Sequence, residues 1–177
     1  MMRLLLSIVL IAFFAQMNAQ LYVLKDYRAD SNDHYQQIYD SLPQMCDSFY
    51  LAFLKEDLSE IKKFVPQVKF LKATFDTMSI EYREDQVLFK QQLILRTIQK
   101  DYRKILKTAE KAKFKFKRLE HTDTKYNCGK DEKGNSYCYV TMICKKKKHT
   151  YELKYAAIML NGHWFVGDEL SFKEVEE

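Results

Sequence analysis

The stretch YELKYAAIMLNGHWFVGDEL, Tyr151 to Leu170, decides the fold. Asn161-Gly162 at its centre joins two residues that tolerate positive φ, the strongest short signal for a two-residue β-hairpin. A loop of that kind pairs Leu160 with His163; counting outward, it sets Tyr155 against Asp168 and Lys154 against Glu169. Side chains alternate along a strand. Leu153, Tyr155, Ala157 and Met159 therefore share a face with Trp164, Val166, Asp168, Leu170 and Phe172, and Asp168 alone does not suit a core. Lys154 and Glu169 fall on the other face as a cross-strand pair of opposite charge. The apolar face and the charge pair agree on one register.

Upstream, Glu132-Lys-Gly134 reads as a three-residue hairpin loop with Gly134 in the left-handed position. Strands are expected over 136–145 and 149–160, joined at Lys145–Lys148, with a last strand from His163 to Phe172. Phe114 and Phe116 alternate with Lys113, Lys115 and Lys117, which predicts a half-buried strand.

Before residue 113 the period becomes helical. Ser41-Leu-Pro-Gln44 has the pattern of a capping box, followed by Met45, Phe49, Ala52 and Phe53 on one stripe. Asp57-Leu-Ser-Glu60 repeats the signal ahead of Leu58, Ile61, Phe64 and Val65, a stripe that ends at Pro66. Val68, Leu71, Phe75 and Met78 keep helical spacing. The clearest helix runs from about Glu84 to Ala112, where Val87, Ile94, Ile98, Tyr102, Ile105 and Ala109 fall mainly three or four apart with no Gly or Pro between them. Helices followed by strands predict an α+β fold: N-terminal helices and one long helix packed on a curved four-stranded antiparallel meander.

Of the 177 residues, 47% are hydrophobic and 30% charged, which excludes a disordered chain and suits one core. Met1-Met-Arg3, the apolar run Leu4–Phe14 and Ala19 have the layout of a secretory signal peptide over residues 1–19. That run is too short to span a bilayer, and no other segment reaches such a length. Residues 20–40 read as a flexible lead-in and 41–177 as a single domain. The expected location is periplasmic or extracellular.

Export makes Cys46, Cys128, Cys138 and Cys144 disulfide candidates. The Glu132–Gly134 loop sets Cys128 opposite Cys138, and opposed residues lie about 4.5–5.5 Å apart, within bonding range. Cys138 and Cys144 are six residues apart on one strand, about 20 Å, and cannot join. The expectation is Cys128–Cys138, with Cys144 reaching Cys46; the alternative for the second pair is two buried thiols.

The capped helix pair around Phe49–Phe64 and the closing strands Tyr151–Phe172, with their Asn-Gly-His-Trp-Phe-Val-Gly-Asp-Glu, resemble the nuclear-transport-factor-2-like, or cystatin-like, α+β cone. The resemblance covers about residues 42–172. Where that family places a short β-hairpin, residues 67–82 here read as helical. It implies a curved sheet around helices with a conical cavity; members include isomerases and dehydratases as well as proteins that bind or dimerise.

In such a cone Asp168 would be a catalytic carboxylate, an acid whose pKa an apolar wall raises toward that of a general acid or base. Tyr155, Trp164 and Met159 would be the ligand-binding residues. The competing reading of Asp168 is a rim residue or an acceptor for the Tyr155 hydroxyl. His163 falls on the outer face, and His34, His121 and His149 lack metal-ligand spacing, so no metal or cofactor is expected. No Gly-x-Ser-x-Gly, His-Glu-x-x-His or phosphate-binding loop occurs.

Charge is unevenly spread: residues 100–150 hold 16 Lys and Arg against 6 Asp and Glu, whereas residues 20–60 hold 3 against 8. That asymmetry implies either attraction to an anionic surface or protein partner, or lysines that keep sheet edges from pairing. Export argues against nucleic acid. The reading of function is a small exported binding or accessory domain, with a cone-like apolar pocket or a partner-binding sheet face. Its partners would be a small apolar ligand, an anionic surface or a second copy joined through the sheet. The alternative is an isomerase- or dehydratase-like enzyme using Asp168.

Overall fold

The computed structural model describes residues 38–76, 84–132 and 134–175. The signal peptide and most of the lead-in read from the sequence lie outside these residues. Helix α1 spans Leu42–Leu54, α2 Leu58–Lys62, α3 Val68–Asp76 and α4 Glu84–Lys111. The strands are β1 Glu120–Lys130, β2 Ser136–Lys146, β3 His149–Leu160, β4 His163–Val166 and β5 Ser171–Val175. The fold is α+β, with helices packed on a curved, open antiparallel sheet.

Ser41 is the N-cap of α1 and Pro43 sits in its first turn, where a missing amide hydrogen does no harm. The expected capping box does not close, because the Ser41 side chain makes no capping bond. Asp57 does cap α2, its Oδ1 accepting from the Ser59 amide at 2.8 Å. Glu60 turns outward to Lys55 and Lys63 instead of back to the helix start. Along α4, Val87, Gln91, Leu95, Ile98, Tyr102, Ile105 and Ala109 are buried in steps of three and four.

Three hairpins follow. Asn161 (φ 52°) and Gly162 (φ 82°) form the expected two-residue turn, with Leu160 paired to His163 and Met159 to Trp164. Gly134 (φ 80°) takes the left-handed position of the first loop, and Cys128 lies opposite Cys138. The β2–β3 tip turns through Lys147 (φ 57°). Cys138, Val140, Met142 and Cys144 of β2 and Tyr151, Leu153, Tyr155 and Ala157 of β3 face α1 and α4 in one core with Phe49 and Phe53. Each fully buried side chain of that size stabilises the fold by roughly 1.5–3 kcal/mol. Ile158, Leu160 and Phe165 form a second, smaller cluster with Phe70, Leu71 and Val87.

The structure corrects two further expectations. Residues 113–117 are not a strand. Lys113 adopts φ 51°, Phe114 N donates to Ala109 O at 2.8 Å and Lys113 N to Glu110 O at 3.0 Å, the paired bonds of a Schellman cap. The reversal leads into a single 3-10 turn, Phe116–Arg118, and Phe116 plugs the core beside Phe53 at 5.0 Å between ring centres.

The last strand is not continuous either. Gly167 N donates to Ala156 O and Ala156 N to Asp168 O, both at 2.8 Å, so two residues of the bulged side oppose one. Beyond the break, where Glu169 has φ 59°, β5 pairs with β3 two residues out of step with β4. Lys154 consequently faces Ser171, not Glu169, and its ammonium pairs with Glu152 at 2.6 Å.

Just ahead of α1, Tyr39 meets β4. Trp164 N donates to Tyr39 O at 2.7 Å and Val166 N to Phe64 O at 2.9 Å, which covers the outer edge of β4.

Candidate functional site

Among the described residues, Tyr155, Trp164 and Met159 belong to one packed cluster. Tyr155 is 1% exposed, and its hydroxyl donates to Met142 Sδ at 3.8 Å. Its ring packs on Phe49 with centres 4.6 Å apart. Trp164 is buried in the same core, and Met159 packs against it from the opposite position. Asp168 sits in the bulge, exposed, with its carbonyl accepting from Ala156 N, so it stands opposite Ala156 and not Tyr155. Partial burial, and then the Asp101 carboxylate, raise the Asp168 carboxyl above its ordinary value.

Cys128 and Cys138 are joined, with Cα atoms 4.0 Å apart. Cys46 and Cys144, by contrast, are both buried free thiols. Cys46 lies beside Tyr126 and Tyr155, the two residues flanking Val140, whereas Cys144 is four residues further along β2, about 13 Å. The α1 residue that reaches Cys144 is Tyr50, one helical turn beyond Cys46, and its hydroxyl donates to Leu119 O at 2.6 Å. Burial pushes the Cys46 thiol up to about 11 and the Cys144 thiol up to about 12, so neither is a nucleophile at neutral pH.

An open space appears instead at the other end of the same sheet face. Between the C-terminal half of α4 and the edge formed by β5 runs a groove of about 540 Å³. That is within the roughly 300–1,000 Å³ typical of ligand pockets. Its walls include Ile105, Ala109, Phe114, Tyr151, Leu170 and Phe172. Thr108, Ala109 and Ala112 leave the room: three short side chains on the helix face a sheet edge that carries large ones. Tyr151 and Phe172 are stacked, 5.4 Å apart and 6° from parallel, and Phe114 meets Tyr151 edge-on at 5.0 Å. At one end His149 Nδ1 lies 2.5 Å from Glu174 Oε1; Asp101, Lys104 and Lys173 also line the groove. The arrangement can enclose an apolar body and orient a polar end. Among the described residues no group of three His, Cys, Asp or Glu could hold a metal ion.

Leu170 and Phe172 were legible in the sequence as members of the inward face; Tyr151 shares it by alternation with Leu153 and Tyr155. The part of α4 that stands opposite them was not legible, because no local signal says which helix turn meets a sheet edge.

A second concavity, of about 1,000 Å³, lies beyond the Phe114 ring. Lys113, Lys115, Lys117, Arg118, Lys146 and Lys147 surround it, with Glu56 and Glu120 the acidic residues of its wall.

No protein-family model, curated protein or solved structure matches the chain. Among the described residues no helix is long and apolar enough to cross a membrane.

Proposed function

We propose that this protein is a small exported binding domain that holds an apolar ligand in the groove between α4 and β5. The single observation behind the reading is the 540 Å³ opening walled by Ile105, Ala109, Phe114, Tyr151, Leu170 and Phe172. Large apolar side chains left beside open space gain contacts from a ligand that they do not gain from the fold. Export rests on the leader-like N-terminus, and the Cys128–Cys138 bond is compatible with it. Kinship with the nuclear-transport-factor-2-like cone is part of the same proposal: helices on a curved sheet, with an opening at one end of the inner face.

Thr108→Trp tests the reading. Thr108 is an exposed helix residue on the groove wall, so an indole there blocks the groove without disturbing the core. A neutral apolar dye, N-phenyl-1-naphthylamine, should brighten on binding the native protein and fail to do so with the variant at unchanged melting temperature. Equal brightening with both proteins would overturn the groove as the site.

The enzyme alternative draws support from the raised Asp168 carboxyl beside Asp101. It lacks the closed apolar surroundings that a proton-transfer site of that kind uses. Asp168→Asn separates the two readings: dye binding should survive it, whereas an Asp168-dependent reaction should not.

A further inference from the structure

We propose that the basic concavity is a second site, independent of the groove, and that it binds a linear polyanion of the sulfated or carboxylated glycan class. Two separate pieces of chain supply its cations: the reversal after α4 with the 3-10 turn that continues it (Lys113, Lys115, Lys117, Arg118), and the β2–β3 tip (Lys146, Lys147). The fold brings to one concavity lysines that are some thirty positions apart in sequence.

Protection of sheet edges does not explain them. Lys113–Arg118 lie on no strand, so they guard no edge against pairing. They are instead held together. Lys146 Nζ donates to Lys115 O at 2.6 Å, tying the strand tip to the reversal. Burial above all, then Arg118 and Lys147 against an opposing Glu56, hold the Lys146 ammonium below its ordinary value. A multivalent anion offsets the charge of the cations gathered there.

Shape selects among anions. About 1,000 Å³ is far more room than one phosphate or sulfate fills, so the ligand carries several charges. A bilayer is planar and would meet only the rim of a concavity. Surface binding to lipid also uses exposed apolar side chains, and the described ones (Ile38, Leu51, Phe89, Leu93, Tyr126 and Tyr139) are elsewhere. Single-stranded nucleic acid needs aromatic platforms for its bases. Here Lys146 covers the Phe114 ring and Phe116 is buried, so no ring is offered. A flexible sugar chain with spaced sulfates or carboxylates needs neither an apolar surface nor a stacking platform.

The test is a titration with heparin at increasing salt, with vesicles of phosphatidylserine and phosphatidylcholine and a single-stranded oligonucleotide as separate arms. Lys115→Glu with Lys117→Glu should weaken heparin binding roughly tenfold or more, since each phosphate- or sulfate-like contact contributes separately. Lys100→Glu with Lys107→Glu, an equal change of net charge on exposed α4 positions outside the concavity, should cost less than about twofold at physiological salt. All four lysines are exposed, so melting temperatures should stay unchanged. Equal losses in both pairs, no heparin binding, or vesicles or oligonucleotide bound as tightly as heparin would each overturn the proposal.

Discussion

Lys146 Nζ stands 3.5 Å from the centre of the Phe114 ring, so the two side chains together form the partition between the apolar groove, which Phe114 lines, and the basic concavity, which Lys146 lines. The same ammonium donates to Lys115 O, and the two contacts hold a strand tip against a helix C-terminus. Lys146→Met keeps the chain length and removes both contacts. It should destabilise the fold by about 1–2 kcal/mol, since a partly exposed cation–π contact contributes roughly 0.5–1 and a solvent-screened hydrogen bond roughly 0.5–1.5. Urea denaturation measures the change; no loss would show that the partition is not a structural element.

Cys128 is exposed on the edge strand and Cys138 buried, and the bond joins them across a separation of ten residues. Cross-linking a loop of this size restricts the unfolded chain by about 2–3 kcal/mol. Cys128→Ser should lower stability by that order. A thiol reagent should find no reactive thiol in the native oxidised protein and two after unfolding, from Cys46 and Cys144.

Those two thiols also give a pH dependence. Their folded values, about 11 and about 12, lie above the ordinary 9.0, so the folded state holds its protons where the unfolded state has lost them. The stability they contribute is complete below pH 9 and falls as the pH rises toward 11–12. Buried Tyr155, raised by burial and by neighbouring Cys46, acts in the same direction above pH 10. Thermal melts should therefore fall steeply above pH 9, and Cys144→Ala should flatten the early part of that slope.

Asp168 behaves oppositely to a carboxylate that stabilises its fold. Burial and Asp101 raise its value, so ionisation is less favourable in the folded protein, and the penalty appears as the pH rises above the ordinary 3.8. Asp168→Asn should leave the melting temperature at pH 7 unchanged or slightly higher. A marked drop would mean that the carboxylate has a structural partner.

Turn chemistry made much of the sheet readable. Asn161-Gly162 and Glu132–Gly134 each fix a register locally, and the Cys128–Cys138 bond follows from the second by counting. The count fails beyond Gly167, because a bulge inserts residues without a distinctive sequence of its own. Lys113–Lys117 misleads for a related reason. Alternation over five residues looks like a strand, yet these residues are consumed in stopping a long helix, and the left-handed position is filled by Lys113 where glycine is usual. The packed face around Tyr155 and the open groove depend on how closely α4 approaches each part of the sheet, a tertiary distance that periodicity does not encode.

The central claim is that the ligand space lies between α4 and β5 and not around Trp164. Methyl and indole NMR signals test it directly during titration with N-phenyl-1-naphthylamine. The Ile105, Ala109 and Leu170 methyl resonances should move with a common saturation curve, while the Trp164 indole and the Met159 methyl stay in place. Movement at Trp164 and Met159 with Ile105 and Ala109 unchanged would contradict the account.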